Sequence, residues 1–96
     1  MEKKYDRLRK LIARNCINRD LNMPFPSDRK FKKKQVCVKD DEGNIRNIHY
    51  GDTRYEDFTE HKDLERRKSF RLRHGCDPVS KLNKASPRYW ACQDLW

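Results

Sequence analysis

The most one-sided chemistry in the chain lies in Glu65-Arg66-Arg67-Lys68-Ser69-Phe70-Arg71-Leu72-Arg73-His74, where Arg66, Arg67, Lys68, Arg71 and Arg73 crowd together. Guanidinium forks match phosphate oxygens, and each neutralised phosphate releases condensed counterions. Such a run therefore suits a polyanion held by its backbone, with strong salt dependence and little base selectivity. Lys32-Lys33-Lys34 forms a second cationic block. Two plainer roles compete with this one. The run is also what a solvated helix face looks like, and Arg66 or Arg67 can pair internally with Asp52, Glu56 or Asp57, setting register while adding little stability.

A second chemistry is suggested by sulfur and imidazole. His74 and Cys76, with Cys92 further on and Cys37 or His49 as a fourth donor, form the densest set of metal-ligand types. Structural zinc sites usually carry paired Cys-x2-4-Cys knuckles, and none occurs, so a zinc held by His74, Cys76, Cys92 and Cys37 must draw ligands from three separate elements. The other reading makes Cys76 and Cys92 small buried thiols that tie the last two helices together and are able to oxidise as a pair. For a chain in a reducing compartment, metal ligation or free thiols come before a disulfide framework.

His49 with Asp52, and Glu60-His61 with Asp63, have the imidazole-carboxylate form of a general base. No Gly-x-Ser-x-Gly and no glycine-rich loop accompanies them, and three glycines leave little backbone freedom for a phosphate cradle. The expectation is a protein that binds and does not catalyse.

The elements that must position these residues follow from periodicity. Tyr5, Leu8, Leu11, Ile12 and Cys16 recur at three and four, one apolar stripe on a helix from Met1 to about Cys16. Met23-Pro24-Phe25-Pro26 cannot continue it, so residues 19–33 read as a linker. From Gln35 to Tyr50 the period falls to two around Asp40-Asp41-Glu42-Gly43-Asn44. This predicts a hairpin with Gly43 and Asn44 able to take positive φ, and Val36, Val38, Ile48 and Tyr50 on one apolar face. Thr53 to Lys62 shows no clear period.

Asp63 is placed to N-cap a helix through His74, with Gly75 beyond its end, and Ser86-Pro87 to cap a short one reaching about Leu95. Tyr89, Trp90 and Trp96 supply the large apolar area such a chain needs for a core, with Trp90 and Trp96 docking on Phe70 and the hairpin. The packing of that last helix also brings Cys76 and Cys92 together.

Ninety-six residues make one small domain, able to bury only about 60% of its unfolded surface. With 24 Lys+Arg against 15 Asp+Glu, a net charge of +9 and 41% charged residues, the composition is too polar for a membrane span, which needs roughly 20 apolar residues in a row. No apolar run at the N-terminus reads as a signal peptide, and the expectation is a soluble intracellular chain. The charge is also blocked: residues 1–34 carry 12 basic and 4 acidic side chains, 35–63 carry 4 and 8, and 64–88 carry 8 and 2. Two basic blocks around an acidic middle favour a polyanionic partner held by two surfaces.

Three stretches together carry a resemblance: Ile48-His49-Tyr50-Gly51-Asp52, Glu65 through Gly75-Cys76, and Arg88-Tyr89-Trp90-Ala91-Cys92-Gln93-Asp94-Leu95-Trp96. Over roughly residues 34–96 the chain resembles a group of small basic proteins of tailed bacteriophages, with similar members in large DNA viruses. Tyr55 to Asp63 is nearer the large-virus members, and Cys76 and Cys92 nearer the phage members. The resemblance implies a viral origin and suggests a place in the virion; it carries no reaction with it.

The resulting expectation is an α+β domain, with residues 1–33 as a helical arm and linker and 34–96 as a compact hairpin-plus-two-helix unit. It would be a virion-associated structural protein, present in the host cytoplasm during infection and bound to no membrane. Its arm and hairpin edge would contact capsid or connector subunits. Arg66 to Arg73, with Lys32, Lys33 and Lys34, would contact packaged DNA without sequence preference. No cofactor is expected, unless Cys76 and Cys92 hold the structural zinc instead of forming a thiol pair. The alternative is a free nucleic-acid-binding regulator or a compact metal-dependent nuclease.

Overall fold

Val36, Val38, Ile48 and Tyr50 alternate with polar neighbours, and in the computed structural model, which describes residues 11–96, they form the centre of a small α+β domain. The sheet is antiparallel, in the order β1 (Phe25–Pro26), β2 (Lys32–Lys39), β3 (Ile45–Asp52). Val36 pairs with Ile48 and Lys34 with Tyr50, which sets the apolar residues on one face. The Asp40–Asn44 turn is tied by the Asp40 carboxylate, which accepts from the Glu42 and Asn44 amides at 2.9 Å. Gly43 takes φ 85°; of the two turn residues expected to do so, Asn44 does not.

The apolar face is covered by the C-terminal segment. Ser86 accepts from the Tyr89 amide and Pro87 occupies the first turn, so α3 (Pro87–Trp90) starts where the sequence places it. Its course then widens into a π-helical turn over Ala91–Leu95. Trp90 and Leu95, 4% and 3% exposed, close on the sheet residues, with Tyr89, Ala85 and Trp96 at the margin. Tyr50 donates to Asp94 at 2.7 Å, and Lys34 reaches the same carboxylate at 2.9 Å, so the polar edge of this layer is also paired. Burial and that bond together push the Tyr50 hydroxyl pKa far up.

The opposite face is covered as well, and here the structure departs from the expected arm. Tyr5 and Leu8 lie outside the described residues. Leu11 to Ala13 are extended, not helical: Ile12 bridges to Ile45, Ile45 donates to the Leu11 carbonyl, and Ala13 donates to the Ile45 carbonyl. Among the described residues of this stretch, only Arg14–Cys16 make a helical turn, of the 3-10 kind. A disulfide joins Cys16 to Cys37, and Asn15 reaches Gln35, so this segment lies across the face of Gln35 and Cys37. The predicted linker contributes β1, and the boundary drawn at residue 33 falls inside β2. Local spacing favoured a helix because Leu11, Ile12 and Cys16 fit a 3.6 period. The unpaired edge of β3 and the cross-link to β2 outweigh that preference.

After β3, Asp57 caps a short helix, α1 (Phe58–His61), through a reciprocal bond with Glu60, a signal legible as Asp-x-x-Glu but unread in a stretch without period. Asp63 caps α2 (Leu64–Arg73), whose end falls at His74 with Gly75 at φ 60°, as expected. Among the described residues no helix is long and apolar enough to cross a membrane.

Gly51 sits where β3 meets the C-terminal layer. Its φ is +80°, and a Cβ there would stand 2.7 Å from Leu95 Cδ1 and 3.2 Å from Lys33 Cβ. Gly51→Ala should therefore cost about 2–4 kcal/mol, from left-handed backbone strain and overpacking together. Urea melts of the two proteins check this, and a loss below about 0.5 kcal/mol would mean that Leu95 moves aside freely.

Candidate functional site

Helix α2 carries the cations, yet it buries none of its residues fully, so something other than an apolar stripe must hold it. Two of its arginines do. Arg67 donates through Nε to the Trp96 carbonyl at 2.6 Å, and Arg71 donates through Nη1 to the Cys92 carbonyl at 2.9 Å. Spaced four apart on one helix face, they satisfy carbonyls that the last helical turn leaves without amide partners. Arg71 also forks onto Asp77, whose carboxyl pKa is held below its ordinary value by that guanidinium. Between the two arginines, Phe70 stacks on Trp96 with centroids 4.2 Å apart and planes 6° from parallel. His74 covers Phe70 at 4.1 Å, and His61 lies against Trp96 at 5.2 Å, completing a column of four rings.

The predicted phosphate contacts consequently divide. Arg67 and Arg71 are spent on the protein's own backbone. Lys33 is enclosed by Asp57, at 2.8 Å, and Glu60, while Lys34 pairs with Asp94. Burial alone would lower the Lys33 pKa and raise that of Asp57. Their pairing reverses both directions, so Lys33 lies above its ordinary value and the Asp57 carboxyl below the ordinary carboxylate range. Arg66, Lys68 and Arg73 remain exposed, with no ion pair among the described residues, and Lys32 is half-buried. The internal pairing weighed for Arg66 and Arg67 with Asp52, Glu56 or Asp57 does not occur. Asp52 is taken by Arg54, whose hydrogen bonds bring the carboxyl pKa down to about 2.

The zinc set does not assemble. Cys76 is bonded to Cys92, Cys37 to Cys16, and His74 is stacked on Phe70. Alternation along β2 puts Cys37 on the face opposite Val36 and Val38, away from Cys92, so no packing of the last helix could bring the two together. Among the described residues, no group of three His, Cys, Asp or Glu side chains is placed to hold a metal. The juxtaposition of Cys76 and Cys92 is as expected; the Cys16–Cys37 pair is not, because local spacing places Cys16 on a helix and not against β2.

Neither imidazole-carboxylate pair forms. His49, 6% exposed, shares a 2.7 Å hydrogen bond between Nδ1 and Ser27 Oγ, and its pKa is lowered by desolvation and by the nearby Arg29. His61 Nδ1 accepts from the Asp63 amide at 2.9 Å.

Two of the exposed cations, Arg66 and Arg73, border a groove of about 750 Å³. Glu65, Arg66, Ser69 and Arg73 of α2 form one wall, net basic. The turn after β3, with Asp52, Tyr55 and Glu56, forms the other, and Leu95, Trp96 and Phe70 line the floor. Seven residues, two turns, separate the two arginines, a rise of about 10.5 Å. The acidic middle thus does come to face the basic helix, but across an open groove and not in the direct ion pairs that were weighed for Asp52, Glu56 and Asp57. No curated protein and no solved structure matches the chain. One family does match, over residues 25–74, the span from β1 to the end of α2 that holds both walls of the groove but not Leu95 and Trp96 of its floor. Because that match covers more than half of the sequence, the chain belongs to the family of unknown function DUF5754.

Proposed function

We propose that the chain is a small non-enzymatic component of a viral particle, contacting capsid or connector subunits and binding the packaged nucleic acid through Arg66, Lys68 and Arg73. The observation that carries the nucleic-acid reading is the division of the basic helix. Its structural arginines are satisfied internally, whereas these three cations point to solvent, and the whole chain carries +9. Cations that no carboxylate neutralises are free to displace counterions from phosphate.

The two disulfides support a particle-borne protein over the free cytosolic regulator, because a reducing cytosol keeps thiols open while virion surfaces preserve such bonds. The nuclease alternative finds no ligand set for its metal among the described residues.

Two measurements test this reading. The protein should be recovered from purified particles in a fixed ratio to the capsid subunit. In solution it should bind a polynucleotide with an affinity that falls roughly 40-fold between about 50 and 200 mM salt, as three phosphate contacts predict. Arg66→Glu, Lys68→Glu and Arg73→Glu together should remove that dependence without unfolding the domain, since all three side chains are exposed. Binding that ignores salt, or survives the triple change, would overturn the assignment.

A further inference from the structure

The groove beside α2 is not built like a duplex-binding surface, and the geometry points to a more specific ligand: one unpaired nucleotide of a single-stranded nucleic acid, with Tyr55 as its stacking residue. This deepens the nucleic-acid reading and rests on it. Three features carry the inference.

The first is the pairing of unlike walls. On one side Arg66 and Arg73 outnumber the single carboxylate Glu65, and on the other lie Asp52, Glu56 and the Lys33–Asp57 pair. A duplex carries phosphates along both strands and would drive one row of them against carboxylates. A single strand presents phosphate on one side and base on the other, which matches a cationic wall facing an acidic one. Asp52 is already held by Arg54, but among the described residues no hydrogen bond or ion pair engages the Glu56 carboxylate.

The second feature is the distribution of aromatic faces. Phe70 is covered by Trp96 and His74, and Trp96 by Phe70 and His61, so the floor has few ring faces to offer. Tyr55 lines the same groove and is 70% exposed, an aromatic face left to water. A base can stack on such an open face, and stacking of this kind is a general source of single-strand affinity. The third feature is size: about 750 Å³ lies within the range of small-ligand clefts and accommodates a nucleotide with its flanking phosphates at the rim.

In this arrangement the base lies on Tyr55, its two neighbouring phosphates meet Arg66 and Arg73, and Glu56 accepts from an exocyclic amino group. Cytosine N4 is a donor and thymine O4 an acceptor, so Glu56 should favour cytosine over thymine.

The test uses the full chain and labelled oligonucleotides of about 12 nucleotides: oligo-dC, oligo-dT, and a duplex of the same length, at one salt concentration. Oligo-dC is expected to bind at least about 10-fold tighter than the duplex. Tyr55→Ala should remove about 10-fold of the oligo-dC affinity and leave duplex binding unchanged. Glu56→Gln, whose amide can accept from cytosine or donate to thymine, should bring oligo-dC and oligo-dT to the same affinity. Both residues are exposed, so circular dichroism should show an unchanged fold. Binding that is equal for duplex and single strand, or unaffected by Tyr55→Ala, overturns the single-nucleotide site while leaving the broader nucleic-acid reading intact. Absence of binding to any of the three probes overturns both.

Discussion

Replacing Cys76 and Cys92 by serine should lower stability by about 3 kcal/mol, and replacing Cys16 and Cys37 as well should leave the chain largely unfolded at 37 °C. The bridges close loops of 16 and 21 residues, and the chain entropy that each removes from the unfolded state is worth about 3 kcal/mol. A domain this small has a total stability near the bottom of the roughly 5–15 kcal/mol range, so losing both links approaches the whole of it.

The two should fail differently. The stretch between Gly75 and Ser86 contains one 3-10 turn, Val79–Lys81, so without Cys76–Cys92 the last helix is tied to α2 only by Arg67, Arg71 and the Phe70–Trp96 stack. Loss of Cys16–Cys37 instead releases residues 11–25 from the Gln35 face, while the β2-β3 hairpin and Trp90 layer can persist. Thermal melts with and without reductant measure this. At roughly 4–8 °C per kcal/mol, a single bridge is worth on the order of 12–24 °C in Tm. A reduced protein melting within a few degrees of the oxidised one would show that the sheet and Trp90 hold the fold unaided.

Trp90→Ala should be the most damaging single replacement of an uncharged residue, at about 3–5 kcal/mol. Among the described residues the buried cluster has six members, Val36, Val38, Ile48, Tyr50, Trp90 and Leu95, so little neighbouring side chain is at hand to refill the volume. Trp90 packs against Tyr50 with centroids 6.1 Å apart and against Tyr89 at 5.2 Å, and its Nε1 donates to the Lys84 carbonyl at 2.8 Å. Trp90→Phe separates these contributions. It keeps most of the apolar area and leaves the Lys84 carbonyl without its donor, so the loss should fall to about 1–3 kcal/mol. Denaturant melts followed by near-ultraviolet circular dichroism read both variants, and equal losses would place the main role of Trp90 in its hydrogen bond and not in its bulk.

Much of the architecture was readable from local signals because those signals act within a few residues. The two-residue period of Val36-Val38 and Ile48-Tyr50 specified the hairpin and its buried face, since alternation in a strand is a direct consequence of backbone geometry. Asp63, Gly75 and Ser86-Pro87 marked helix ends because the orphan amides and carbonyls they serve lie within one turn. The proximity of Cys76 and Cys92 followed from the need to bury Trp90 and Trp96 in a chain with little other apolar area.

Only the tertiary structure decided the rest. Whether Leu11–Cys16 became a helix turned on an unpaired edge at Ile45 and a sulfur at Cys37, both distant in the chain. Which cations stayed free depended on where other elements ended. Arg67 and Arg71 are chemically the same as Arg66 and Arg73, but a rotation of about 100° per residue aims the first pair at the carbonyls of Cys92 and Trp96 and the second at an open groove. Composition counts charges, and a helical period distributes them around an axis. What each charge meets is set by the packing of a segment twenty or more residues away, which is why the basic helix was evident from the amino acids alone while its division into scaffold and surface was not.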